Sequence, residues 1–191
     1  MTGIRIAKIL SDATRLPLLA VPLFLLVGAA AGWRGLLWAL LCLLLTSALS
    51  LVYLWYLTRS GKVRDPSRIL QGERVRPLWV VAALHTGAWA LVTLFGAPAE
   101  LRAILLSYAL ATILFALLTP LTKLSLHAAG VAGAAVCLVY VFGAWGALAA
   151  PAVPLVWWAR TTLGRHTPLE LALGVLVGGG GTWLSFCLIT G

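Results

Sequence analysis

The apolar runs of this chain are too long for a soluble fold and too continuous for the alternating strands of a membrane barrel. Hydrophobic residues make up 62% of the sequence and charged residues only 10%. Soluble domains are about half apolar and about a quarter charged. The sequence therefore predicts an all-α, polytopic transmembrane helical bundle, folded as a single domain over residues 1–191.

We expect about seven hydrophobic helices, preceded by a short, basic and mildly amphipathic N-terminal stretch. The triplet Ala29-Ala30-Ala31 could also mimic the cleavage site of a signal peptide. Because a second apolar run begins at once, we favour a membrane span for the first run. The predicted helices cover residues 16–32, 36–57, 78–95, 101–118, 126–148, 151–160 and 167–189.

Three polar segments separate the predicted helices: residues 58–76, 122–127 and 160–170. An even number of predicted crossings precedes each of them, so all three are expected on the face that carries the N-terminus, which we call face A. Most of the Lys and Arg residues also fall on face A, and the positive-inside rule then assigns this face to the cytoplasm. We therefore predict a multi-pass protein of the cell membrane with a cytoplasmic polar face.

The third polar segment contains Arg160, His166 and Glu170. Ionisable groups at a membrane boundary are functional candidates because burying them costs free energy. Thr167, Pro168 and Glu170 match a capping box that starts a helix, and this cap is one interpretation of Glu170. His166 then precedes a helix N-terminus, where free N–H groups favour an anion. Arg160 could bind the same anion, or could simply extend its side chain to the interface.

The second polar segment repeats this design. Ser125 can cap the following helix, with His127 in the first turn and Lys123 just outside it. A single histidine in such a place is more often structural than catalytic, but two of the three histidines at helix starts on one face favour a shared site. His85 lies inside the third predicted helix, and we interpret it as a packing or helix–helix hydrogen-bonding residue.

The first polar segment supplies further cations, among them Arg68, Arg74 and Arg76. One interpretation is a solvated cytoplasmic loop. The Arg76-Pro77 pair lies at the predicted membrane edge, and it is the part of this segment that we assign most directly to the site.

Neither a metal nor another cofactor is expected. The chain has only five Asp and Glu residues, and none of them form the clustered carboxylates that hold a diphosphate through magnesium. The three cysteines lie inside apolar runs without zinc-site spacing. The net charge of +9 is interpreted as orientation and headgroup contact, so the expected partners are membrane lipids and no nucleic acid.

The three polar segments together resemble the type-2 phosphatidic acid phosphatase superfamily, the lipid phosphate phosphatases that are also related to vanadium haloperoxidases. That family has a Lys-to-Arg-Pro segment and a Ser-Gly-His segment. Its third segment carries Ser-Arg, a His after five further residues and an Asp after three more. The matching residues in this chain are Arg76-Pro77 in the first segment, Ser125 and His127 in the second, and Arg160 and His166 in the third.

The chain departs from the family pattern at four positions. The family's lysine falls at Ile69, so Arg68 or Lys123 would have to replace it. The remaining departures are Leu126 in place of glycine, Ala159 in place of serine and Glu170 in place of aspartate. The longer glutamate can still hold a histidine ring, but the capping box competes for it.

The resemblance implies metal-independent hydrolysis of a membrane lipid or isoprenoid phosphate or diphosphate, on a bundle that could have a six-helix core. His166 would attack phosphorus, Glu170 would orient the imidazole, and His127 would protonate the leaving oxygen. The phosphoryl oxygens would be bound by Ser125, Lys123, Arg68, Arg74, Arg76 and Arg160. The alternative is a lipid-phosphate binding protein or transporter without enzymatic activity, which would use the same cations.

Overall fold

The computed structural model describes the backbone of residues 2–63 and 71–191 and, within these, every side chain except those of residues 71, 72 and 74. The described part of the chain is helical and contains no strand, which confirms the all-α prediction. Its α-helices are α1 Thr2–Ala13, α2 Leu16–Ala30, α3 Gly32–Leu43, α4 Leu49–Arg59, α5 Gln71–Leu94, α6 Ala99–Leu118, α7 Leu126–Phe142, α8 Ala152–Thr162, α9 Pro168–Val175 and α10 Gly181–Thr190.

Three further helical segments connect these helices. The π-helical turns Leu44–Ala48 and Leu176–Gly180 join α3 to α4 and α9 to α10, and the 3-10 segment Gly143–Ala149 follows α7. Within the described residues, five units are long and apolar enough to cross a membrane: Gly32–Arg59, Val75–Leu94, Ala99–Leu118, Leu126–Ala149 and Pro168–Thr190. The bent pair of α1 and α2 adds a sixth if it counts as one span. The chain is thus a multi-pass membrane protein in its architecture.

The predicted short sixth helix is present as α8, which has 11 residues and is not among the units long enough to cross a membrane. Gly143 ends α7 with a φ of 58°, a conformation that favours glycine, and the following 3-10 segment folds back so that Gly146 contacts the Leu138 carbonyl. α8 packs against α7, and its last turn carries Arg160 close to His127 at the start of α7.

The main apolar core lies where α2, α3, α5, α6, α7 and α10 meet, and it contains Phe24, Leu101 and Phe186. His85 lies in α5 at this helix interface. Its Nδ1 is 3.5 Å from the hydroxyl of Thr112 on α6. This contact confirms the expectation that His85 serves helix–helix packing.

The last helical unit packs against α7 through glycine and alanine. Gly174 lies against the Ser125 carbonyl and Gly178 against the Ala129 backbone, so a side chain at either glycine would collide with main-chain atoms. This arrangement confirms that the GxxxG pattern marks a close helix contact. It also brings the starts of α7 and α9 together, where the Ser125 N–H donates to the Glu170 carbonyl at 3.3 Å.

The glycine contact predicts a sharp difference between two Gly→Ala variants. Gly178→Ala should destabilise the protein by about 1–3 kcal/mol, the usual cost of overpacking, because its Cβ meets the backbone of Ala129. Gly180→Ala is the matched control, since a Cβ there meets nothing within 4 Å. The measurement is the thermal unfolding midpoint in detergent. Equal midpoints for the two variants would contradict the close packing.

Candidate functional site

The third polar segment forms both of the arrangements that its sequence allowed. The Thr167 hydroxyl accepts from the Glu170 N–H at 3.3 Å, and Glu170 Oε2 accepts from the Thr167 N–H at 3.0 Å, which completes a capping box. The same Oε2 lies 3.1 Å from His166 Nδ1. One carboxylate oxygen therefore starts α9 and holds the imidazole ring at the same time.

The contact with Glu170 sets the tautomer of His166. Because an ionised carboxylate can only accept, Nδ1 carries the hydrogen, and Nε2 keeps its lone pair. The His166 side chain is only 3% exposed and that of Glu170 is 18% exposed. The ring is thus held in a sheltered place with its unprotonated nitrogen directed away from the carboxylate.

The pKa of His166 is lowered from its ordinary 6.5 to about 4, chiefly by burial and then by the nearby charges of Arg160 and Lys123. The hydrogen bond and the charge of Glu170 oppose this shift. The imidazole is therefore neutral at pH 7, the state that a nucleophile requires.

The same pKa shift makes the stability of the fold depend on pH. In the unfolded chain the His166 imidazole binds a proton below pH 6.5, whereas in the folded protein it does so only below about pH 4. Acid therefore destabilises the fold between these two values.

Arg160 lies in the last turn of α8, and its Nη1 donates to the hydroxyl of Ser11 at 2.7 Å. The ring of His127, in the first turn of α7, lies near the backbone carbonyl of the same Ser11. His127 also lies close enough to Arg160 for the guanidinium charge to act on its ring, and His166 lies nearby. The second and third polar segments therefore meet at one end of the bundle, and α1 lies over their meeting point.

Lys123 and Ser125 connect these two segments. Lys123 Nζ donates to the Arg165 carbonyl at 3.2 Å, so its ammonium group lies beside the loop that carries His166. Ser125 accepts from the Ala128 N–H and caps α7, as the sequence predicted. Its side chain is fully buried. The hydroxyl thus serves the helix start, and the role of Ser125 in binding an anion stays a prediction.

The first polar segment is described only in part. Arg68 lies outside the described residues, and so does the side chain of Arg74. Arg76 is exposed near the start of α5, and its side chain is outside the network of contacts given above. Its helix nevertheless begins at the same end of the bundle, because Leu78 packs in a small apolar cluster with Leu124 of the second polar segment.

Ser11 is the residue of this region that the sequence patterns did not reveal. It lies on the buried face of α1, where Ala7 is also buried and Thr14 is partly buried. A stripe of small residues at positions i, i+4 and i+7, in a helix otherwise rich in isoleucine and basic residues, was the available signal. Such a stripe predicts close helix packing, but it does not tell which helix covers it.

No protein-family model, curated protein or solved structure matches the chain. In the described part of the chain, no group of three or more His, Cys, Asp and Glu side chains could hold a metal ion. The site brings together groups from the second and third polar segments. They are a neutral imidazole backed by a carboxylate, a second imidazole, a guanidinium and an ammonium group, which together can bind an anion and transfer a phosphoryl group.

The titration of His166 is a direct test of this environment, and we expect a midpoint near 4. Histidine-selective NMR in detergent would follow the imidazole shift, with the signal assigned by its loss in His166→Gln. Arg160→Gln should raise the midpoint because it removes a charge that opposes protonation. Glu170→Gln should lower the midpoint because it removes the carboxylate that favours protonation. A midpoint at the ordinary value of 6.5 would contradict the buried, cation-flanked setting.

Proposed function

We propose that this protein hydrolyses a membrane lipid or isoprenoid phosphate or diphosphate through a phosphohistidine at His166, as the resemblance to the type-2 phosphatidic acid phosphatase superfamily implies. The observation that carries the proposal is the sheltered His166 imidazole, whose Nδ1 is 3.1 Å from Glu170 and whose other nitrogen is left unprotonated. A nucleophile oriented by a third group is the arrangement common to enzymes that form covalent intermediates.

In the first chemical step, Nε2 of His166 attacks phosphorus, and the bond from phosphorus to the lipid oxygen breaks. His127, in its protonated form, gives a proton to that oxygen, so the alcohol leaves as a neutral group and His127 becomes neutral. Glu170 holds the ring and stabilises the positive charge that develops on it. A water molecule then attacks the phosphohistidine, returns a proton to His127, and releases phosphate with restoration of the neutral imidazole.

Arg160 and Lys123 supply the positive charge that this reaction requires. Both lie close enough to His166 for their charges to act on its imidazole, and charge at that distance also acts on a phosphoryl group attached to Nε2. Phosphoryl transfer is catalysed largely by positioning and electrostatic stabilisation, which such groups provide. Arg76 would extend the cationic surface from the side of α5, and Arg68 and Arg74 remain predicted binding residues.

The expected location is the cell membrane, with the site on the cytoplasmic face by the positive-inside rule. The apolar helices keep the acyl or prenyl chain in the bilayer while the headgroup reaches the site. The expected partners are thus the lipid phosphate and the surrounding lipids.

The proposal predicts phosphate release in the presence of EDTA from at least one of phosphatidic acid, phosphatidylglycerol phosphate and prenyl mono- or diphosphates. His166→Ala should abolish this release because the attacking nitrogen is lost, and His85→Gln, the matched control in the bundle core, should retain it. The assay is free phosphate from mixed micelles. Full activity in His166→Ala would contradict the proposal, and lipid binding without release by the unmodified protein would favour a binding protein.

The two roles of Glu170 can be separated by a pair of variants. Glu170→Gln keeps an oxygen for the Thr167 N–H but loses the negative charge, so activity should fall about 10²- to 10⁴-fold at a nearly unchanged unfolding midpoint. Thr167→Ala removes the other half of the cap and should cost about 1 kcal/mol of stability while activity is retained. Both activity and midpoint are measured for each variant. Unchanged activity in Glu170→Gln would mean that Glu170 is only a cap.

A further inference from the structure

The first helix, α1, presents three different faces. Its buried face carries Ala7 and Ser11 and packs against α8. A second face exposes Ile6 and Ile9, which are 48% and 61% accessible. This face has no partner among the described residues, and it is too apolar for a helix that is surrounded by water on its outer side.

The third face of α1 is charged. Arg5 and Lys8 are exposed, and Asp12 forms an exposed ion pair with Arg15 at 2.7 Å. A helix with an apolar face, a basic face and little net hydrophobicity is typical of the membrane interface. There its apolar side chains enter the acyl region, while its cations stay with the phosphates of the headgroups.

The length of α2 also favours a position of α1 at the membrane interface. α2 has 15 residues, so it is about 22 Å long, about 8 Å less than the hydrocarbon core of a bilayer. α1 has 12 residues and is bent by 57° from α2. At about 1.5 Å per residue, α1 therefore adds about 10 Å along the α2 axis, which makes up the difference.

We propose that α1 lies obliquely in the interfacial zone of the bilayer on face A and completes a single crossing together with α2. Ile6 and Ile9 lie among the outer parts of the acyl chains, and Arg5 and Lys8 lie at the level of the headgroup phosphates. The occupant of the exposed α1 surface is thus the phospholipid interface itself. This inference does not depend on the proposed phosphatase activity.

The test uses the full-length protein in phosphatidylcholine–phosphatidylglycerol vesicles, with an environment-sensitive fluorophore attached to one cysteine at a time. The background is Cys187→Ser, because Cys187 is exposed whereas the other two cysteines are buried. Ile9→Cys reports the apolar face, and Lys8→Cys, one residue away, is the matched control on the charged face. Ile6→Cys and Arg5→Cys form a second, independent pair.

We expect the Ile9 label to be quenched severalfold more by nitroxide on the upper acyl chain than the Lys8 label, and severalfold less by aqueous iodide. Equal access of iodide to both labels would overturn the proposal, because α1 would then lie in water. Equal quenching of both by nitroxide at the chain ends would overturn it in favour of a broken span buried in the bilayer. Protection of the Ile9 label from both quenchers would also overturn it, because protein would then cover this face.

Discussion

The candidate site depends on how closely the start of α9 approaches the start of α7. The glycines at positions 174 and 178 remove the side chains that would otherwise separate the two backbones. As a result, the Ser125 N–H reaches the Glu170 carbonyl. In a bilayer, where apolar side chains gain little by leaving lipid, close packing of small residues is a main source of helix association. The glycines thus bring His127, in α7, and His166, just before α9, to one place.

The carboxylate of Glu170 links the stability of α9 to the chemistry of the site. Its Oε2 accepts from both the Thr167 N–H and His166 Nδ1, so the cap and the histidine contact do not exclude one another. The sequence predicted both roles as rivals, because spacing identifies which groups can meet but not how many donors one oxygen will accept. A glutamate suits the double role, since its longer side chain folds back to the helix start and still reaches the ring.

The sequence predicted the helices and the local caps well, because hydropathy and capping patterns are local signals. Thr167 and Ser125 both cap the helices that they were expected to cap. The missed features are tertiary. The fold-back after Gly143 brings Gly146 against the Leu138 carbonyl, and the contact of Ser11 with Arg160 joins residues that are 149 positions apart. The full burial of Ser125 likewise depends on helices that are distant in the sequence.

The low pKa of His166 and the attraction of the site for an anion have partly the same origin. Arg160 and Lys123 oppose protonation of the buried imidazole, and in such surroundings their charge is screened less than it would be in water. In the proposed reaction, the negative charge of the phosphoryl group would offset that of the two cations, so the imidazole would become more basic only once the anion is bound. Such a site would keep the proposed nucleophile neutral in the resting state and strengthen it when an anionic headgroup lies within reach.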